Sequence, residues 1–206
     1  MPFVTFEGVE GCGKSTQLSR AAEALRAGGR EVVATREPGG TAIGRRIREI
    51  LMDVDHRDLE GAAEWLLLEA DRRQHVAQVL RPGTERGAFV LCDRYSDSTE
   101  AYQVHGRGVA QDAVTLVDAI ARDGLVPELT LLYDLDPALG LERARDRDKG
   151  SGRFESAEMA FHERVRAAYL AIARREPARV VVIAADRPPD EVFSSTWTAI
   201  SRRFPS

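Results

Sequence analysis

The sequence predicts a doubly wound α/β fold, with five parallel strands in one sheet flanked by helices, as a single domain over residues 1–206. Three observations carry this. Five short, nearly continuous apolar runs recur along the chain, at Phe3–Phe6, Glu31–Thr35, Ala88–Asp93, Leu129–Asp134 and Arg179–Ala184. Such runs suit parallel strands covered on both faces. Helical spacing of apolar residues fills the intervals between them. The first run leads straight into Gly8-Val9-Glu10-Gly11-Cys12-Gly13-Lys14-Ser15, which reads G-x-x-x-x-G-K-S.

That glycine-rich stretch sits where its pattern has a mechanism. Behind it, Thr16 to Ala27 places Leu18, Ala21, Ala22 and Leu25 on one helical face, and Gly28-Gly29 supply a stop. A strand, a glycine turn and a helix N-terminus make an anion cradle. Backbone N–H groups point inward, the helix dipole adds roughly half a positive charge, and glycine lets the chain approach an oxyanion closely. Lys14 is expected to reach terminal phosphates and the Ser15 hydroxyl to ligate Mg²⁺.

The second run ends in Thr35-Arg36-Glu37-Pro38-Gly39-Gly40-Thr41, a tight turn whose Thr41 can cap the next helix. That helix carries Ile43, Ile47, Ile50 and Leu51 on one face. Its Arg45 and Arg46 read as a solvated face, whereas Arg48 can turn toward a ligand at the strand ends. Leu59, Ala63, Leu66, Leu67 and Ala70 mark the following helix, with Asp58 near its cap. The third run delivers Asp93-Arg94-Tyr95. An acid at the end of an apolar strand can hold Mg²⁺ or its water shell, and a guanidinium beside it can bridge two phosphates. From Arg143 to Arg153 basic and acidic residues alternate around Gly150-Ser151-Gly152. This is either a self-paired surface loop or a lid that brings arginines over bound phosphate. Phe161, Val165, Ala168, Tyr169 and Ile172 mark a later helix, and Val192, Phe193, Trp197 and Ile200 the last, with Asp190 near its start.

A net charge of −4 argues against non-specific binding to nucleic acid. Two cysteines, Cys12 and Cys92, are too few for a disulfide framework or a zinc cluster. A bridge between them is geometrically conceivable, and buried free thiols are the expectation. No apolar run reaches membrane-spanning length, and no basic segment followed by an apolar one opens the chain. The cytoplasm is the simplest location.

Nearly the whole chain resembles thymidylate kinases, P-loop nucleoside monophosphate kinases. The resemblance rests on Phe6-Glu7-Gly8-Val9-Glu10-Gly11, Thr35 to Thr41, Ala70-Asp71-Arg72, Asp93-Arg94-Tyr95 and Ser98-Thr99-Glu100-Ala101-Tyr102-Gln103. Val126-Pro127-Glu128-Leu129-Thr130 and the basic run add to it. It implies phosphorylation of dTMP to dTDP by ATP with Mg²⁺, in a homodimer. It implies that Gly8 to Thr16 cradle ATP and that Ser15 and Asp93 serve the metal. Lys14, Arg94 and the lid arginines Arg147 and Arg153 would stabilise phosphoryl transfer. The form looks bacterial, because no basic residue lies between Glu10 and Lys14. Arg48 and Arg94 would hold the dTMP phosphate. Glu10 would meet the 3′-hydroxyl or a metal-bound water. Arg72 would donate to thymine O4, Thr99 and Gln103 would lie near the base edge, and Tyr102 would crowd the 2′ position.

The sequence departs from the family at Leu68, where an aromatic residue commonly stacks on the base. Either Leu68 forms a non-aromatic platform or another residue stacks, and Trp65 lies two turns from Arg72. One methyl group in an apolar pocket is worth about 1–3 kcal/mol, so thymine selection is a demanding step. Two other readings use the same first motif: a kinase for another pyrimidine nucleoside monophosphate, and a GTP-dependent switch protein. The second lacks an Asn-Lys-x-Asp segment.

Overall fold

The strands lie within one residue of the apolar runs: β1 (Phe3–Glu7), β2 (Val32–Arg36), β3 (Phe89–Asp93), β4 (Leu129–Asp134) and β5 (Val180–Ala184). They pair in the order β2-β3-β1-β4-β5, all parallel. The predicted sheet is therefore the observed one. The computed structural model describes residues 2–56, 58–148 and 157–205, with side chains omitted for 146–148.

Helices α1 (Lys14–Ala27) and α2 (Ala42–Met52) follow the first two strands. Helix α3 (Gly61–His75) continues through a π-helical stretch, Val76–Leu80, into α4 (Arg81–Glu85). After β3, α5 (Ser96–Thr99) runs into a second π-helical stretch, Glu100–Gly106, and α6 (Gln111–Arg122) follows. Helices α7 (Pro137–Asp148), α8 (Met159–Arg175) and α9 (Pro189–Arg203) complete the described fold.

Strand periodicity sends side chains alternately to two cores. On one face Val4, Phe6, Leu91 and Leu131 pack with Leu18 of α1, Ile172 of α8 and Ile200 of α9. On the other, Phe3, Val90 and Cys92 pack with Val76, Leu80 and Tyr95. Both cysteines are free and buried. The edges are less covered. Val181 and Val182 of β5 are exposed, so the continuous run of that strand does not reflect burial on both faces.

Several local expectations need correction. Helix α1 begins at Lys14, two residues before Thr16, directly after Gly13, whose left-handed conformation (φ 90°) bounds it. Glu60, not Asp58, caps α3, accepting from the backbone N–H groups of Ala62 and Ala63. The apolar faces read for α2 and α3 are only partly covered: Leu51 is fully buried, whereas Ile43, Ile50 and Leu66 are exposed. The buried side of α3 is instead polar, with Glu64, Glu69, Asp71, Arg72 and His75 all inside. The charge run from Arg143 begins as the helical end of α7 rather than as a loop.

Leu131 is fully buried in β4 between two paired strands. Leu131→Ala is expected to cost about 2–5 kcal/mol of unfolding free energy, measured by urea denaturation.

Candidate active site

The switch in strand order falls at β1, which lies between β3 and β4. Open α/β sheets bind ligands at the carboxyl ends of the strands beside such a switch. The register here pairs Phe6 with Asp93 and Arg36 with Asp93, so the ends of β1, β2 and β3 form one row.

At the end of β1 the loop Gly8–Gly13 folds back around its own lysine. Lys14 Nζ donates to the carbonyls of Gly8 (3.0 Å) and Val9 (2.8 Å) and lies 3.4 Å from Cys12 Sγ. Gly11 has φ 69°, and a Cβ there would collide with the Gly140 carbonyl at the start of α7. The close approach and the backbone angle both require glycine. Ser15 and Thr16, exposed at the helix N-terminus, face outward from the loop. Ser15 Oγ donates to Asp93 Oδ2 at 2.6 Å, joining the first motif to the end of β3.

Arg94 follows Asp93 in a left-handed conformation, φ 72°. A side chain with a Cβ pays for that angle, about 1–2 kcal/mol. Its neighbours hold it there. The backbone N–H of Arg94 reaches the Phe6 carbonyl (3.0 Å), and that of Tyr95 reaches Glu7 Oε1 (2.7 Å). The guanidinium donates to Glu10 Oε1 (3.0 Å), Tyr102 Oη (3.1 Å), Tyr169 Oη (3.1 Å) and Ser98 Oγ (3.2 Å). Tyr102 Oη also donates to Glu10 at 2.8 Å, and His162 Nδ1 lies 3.7 Å from Glu10 Oε2.

The turn after β2 is fastened from below by α3. Thr35 Oγ1 bonds His75 Nε2 (2.7 Å), His75 Nδ1 meets Glu37 Oε1 (2.9 Å), and Arg72 Nε donates to Glu37 Oε2 (2.9 Å). Arg72 Nη1 donates to Glu69, Thr99 and Asp118, each at 2.9 Å. Asp71 Oδ1 accepts from the Gly39 N–H at 3.1 Å. Arg48 Nη1 donates to the Pro38 carbonyl at 3.1 Å. Burial, then the charges of Arg36 and Arg94, pull the Arg48 guanidinium below its ordinary pKa. Several cations thus crowd one corner, which is how a protein prepares for an anion.

One cleft gathers these groups. Glu10, Gly11, Lys14, Ser15, Arg48, Arg72, Asp93, Arg94, Thr99, Tyr102 and Gln103 all line it. So do Arg36, Pro38, Met52 and Leu68. Gly8, Val9, Cys12 and Gly13 complete the loop behind Lys14 without lining the cleft. Trp65 is buried and stands outside the lining, so Leu68 is the apolar wall at that point. Arg147's side chain and all of Arg153 lie outside the described residues. Arg45 and Arg46 are exposed, and Arg46 pairs with Glu49 at 2.9 Å.

Sequence reasoning passed over Arg36, Glu7, His162 and Tyr169. Arg36 had a signal, because it is a basic residue at the carboxyl end of a strand, where such sheets bind ligands. His162 and Tyr169 had none beyond a helical apolar face. Only the packing of α8 against the second π-helical stretch brings them to Glu10 and Arg94.

Two carboxyl groups of this site are displaced in opposite directions. Burial, then the charge of Asp97, pushes Glu7 up to about 7, although Ser98, Arg94 and Tyr95 oppose it. Burial would also raise Glu10, but His162, Arg94, Lys14 and Tyr102 outweigh it and bring Glu10 down to about 2. Between the unfolded value of 4.5 and about 7, folded Glu7 keeps a proton that the unfolded chain has lost. Its contribution therefore makes stability fall as pH rises through that window. In Glu7→Gln this part of the slope is expected to vanish, read by comparing urea denaturation of both proteins at pH 5 and pH 7.5.

Comparison with known proteins agrees with this architecture. The family model described as thymidylate kinase matches residues 6–196. The thymidylate kinase of Solidesulfovibrio magneticus is 49% identical over 206 residues, covering 97% of this chain and 99% of that protein. The thymidylate kinase of Deinococcus radiodurans is 49% identical over 201 residues, covering 98% of this chain and 97% of that protein. The crystal structure of thymidylate kinase from Ehrlichia chaffeensis superposes with a TM-score of 0.79 at 31% identity, covering 97% of this chain and 98% of that one. Sequence, sheet order and family match converge on one conclusion: the chain belongs to the thymidylate kinase family.

Proposed function

We propose that this chain transfers the γ-phosphoryl group of ATP to dTMP, giving ADP and dTDP. One observation carries the reading: a phosphate cradle at Lys14 and a group of arginines, Arg36, Arg48 and Arg94, line the same cleft. Two phosphate-bearing ligands placed there meet end to end. An oxygen of the dTMP phosphate attacks the γ-phosphorus as the bond to the ADP oxygen breaks. The acceptor is already an anion, so the protein has to align two repelling groups and exclude water rather than provide a strong base.

The roles follow from position. The loop Gly8–Thr16 holds ATP, with Lys14 on its terminal phosphates. Arg48 and Arg94 hold the dTMP phosphate, with Arg36 beside them, and Arg94 also reaches the transferring group. Mg²⁺ prefers oxygen ligands and keeps several waters, and the bonded Ser15 hydroxyl and Asp93 carboxylate fit it. Bound there, it would neutralise charge on the ATP phosphates. Arg147 and Arg153 enter as lid arginines on the resemblance alone. Glu10, kept ionised, accepts from the dTMP 3′-hydroxyl or a metal-bound water, while Tyr102 fills the space beside the 2′ position. Arg72 and Gln103 face the base, with Leu68 as its apolar platform and Thr99 steadying Arg72.

No described helix is long and apolar enough to cross a membrane. Two buried free thiols suit a reducing compartment, and both substrates are charged nucleotides, so we place the activity in the cytoplasm. We also propose a homodimer. Helix α3 packs against α2 on one side and α6 on the other. Ile43, Ile50, Leu66, Leu116 and Ile120 are exposed on these three helices, and exposed apolar residues on adjoining helices suit a two-fold interface.

Transfer measured with dTMP, dUMP, UMP and CMP tests the activity; weak turnover of dTMP beside strong turnover of CMP would reject it. Arg72→Ala is expected to raise the dTMP KM by about 10- to 100-fold, the worth of a charged hydrogen bond, and to leave the ATP KM near wild type. For the assembly, sedimentation should give twice the chain mass for the wild type. Ile120→Asp should sediment as a monomer; an unchanged dimer would place the interface elsewhere.

A further inference from the structure

The cleft holds one side chain whose chemistry depends on which way round it sits. Gln103 offers either a carbonyl oxygen or an NH₂ group, and the two look alike in shape. Here a neighbour decides the matter. Gln103 Nε2 donates to Glu64 Oε1 at 3.0 Å. Glu64 comes from α3, is fully buried, and is approached by Arg107 Nε and Nη2, each at 3.3 Å. A carboxylate only accepts, so the amide nitrogen must face it. That turns Gln103 Oε1 away, and this oxygen has no hydrogen-bond partner among the described residues, while Gln103 lines the cleft. Arg72 is anchored through Nε and Nη1, and its Nη2 likewise has no partner among the described residues.

We infer that Glu64 is a positioning residue for base choice: it fixes the Gln103 amide so that the cleft presents an acceptor beside the Arg72 donor. Thymine matches this pair, with O4 accepting and N3–H donating. Cytosine mismatches it twice, because its 4-amino group donates and its N3 accepts. Glu64 itself does not line the cleft, and Gln103 carries its effect there. The π-helical turn at Glu100–Gly106 assists by burying Ala101, Tyr102 and Gln103 in succession, which lets consecutive side chains serve the site. Uracil has the same edge as thymine, so this device separates keto from amino pyrimidines and leaves methyl recognition to the apolar wall.

The inference rests on the nucleoside monophosphate kinase reading, and the test separates the two. Turnover of dTMP, dCMP and N3-methyl-dTMP is compared for the wild type and Glu64→Gln. The glutamine keeps the shape but can donate as well as accept, so Gln103 is no longer held one way round. The ratio of kcat/KM for dTMP over dCMP should fall at least about tenfold in Glu64→Gln, with the ATP KM unchanged. The penalty for methylating N3 should shrink in the variant. Equal losses for dTMP and dCMP, with the N3-methyl penalty intact, would mean that Glu64 only ties two helices together and would overturn the inference. Should the variant not fold, the wild type decides: at least about tenfold weaker use of N3-methyl-dTMP supports an acceptor in the cleft, and equal use overturns it. A wild type that phosphorylates no pyrimidine nucleotide would instead overturn the kinase reading, and this inference with it.

Discussion

Parallel pairing of β1 with β3 is the constraint on which the site depends. Its register sets Phe6 against Asp93, and the next ladder sets Arg36 against the same Asp93. Three strand ends thereby stop on one line. From that line the chain must turn each time, and the turns carry the phosphate loop, the Glu37-Pro38 corner and Arg94. The 2.6 Å bond from Ser15 to Asp93 is possible only because α1 begins where β3 ends. A slip of one residue in this pairing would reverse the facing of every side chain on β3 and move Asp93 out of reach.

Around that line the protein buries several charged groups. Arg72 is enclosed with Glu37, Glu69 and Asp118, and His75 is wholly buried against Glu37. Ionised groups pay a large desolvation cost unless they are paired and hydrogen-bonded, and pairing rarely turns that cost into a net gain. Their value here is geometric. Each carboxyl group fixes a donor: Glu37 holds His75 and Arg72, Asp71 holds the Gly39 N–H, Glu64 holds Gln103, and Glu7 holds the Tyr95 N–H and Ser98. Phosphoryl transfer asks mainly for placed charge. The paired groups around the cleft fix donors of that kind in place. The cleft keeps Arg36, Arg48 and Arg94 crowded together, which is where the proposed function puts the acceptor phosphate.

Helix α3 explains why some of this was hidden in the sequence. Its heptad-like apolar spacing through Leu66 and Ala70 suggests a core-facing stripe, yet Leu66 is exposed and Glu64, Glu69 and Arg72 are inside. Periodicity finds the side with apolar residues, and it does not say whether the core covers that side. The same ambiguity affects Ile43 and Ile50 on α2. By contrast, the apolar positions read on α8, from Phe161 to Ile172, are all buried. There the helix packs on the sheet and nothing competes for its apolar side.

Local chemistry alone settled the five strands, the glycine turn leading into α1, the Thr41 cap and the acid-arginine pair at Asp93-Arg94. Each depends on residues adjacent in the chain, where backbone geometry and side-chain periodicity act over a few ångströms. The meeting of Glu10 with Arg94, 84 residues apart, and of Gln103 with Glu64, 39 residues apart, was decided only by the tertiary fold. Hydrogen bonds have no sequence spacing of their own. They form where strand order and helix packing happen to bring a donor to an acceptor, and burial then gives each of those meetings its weight.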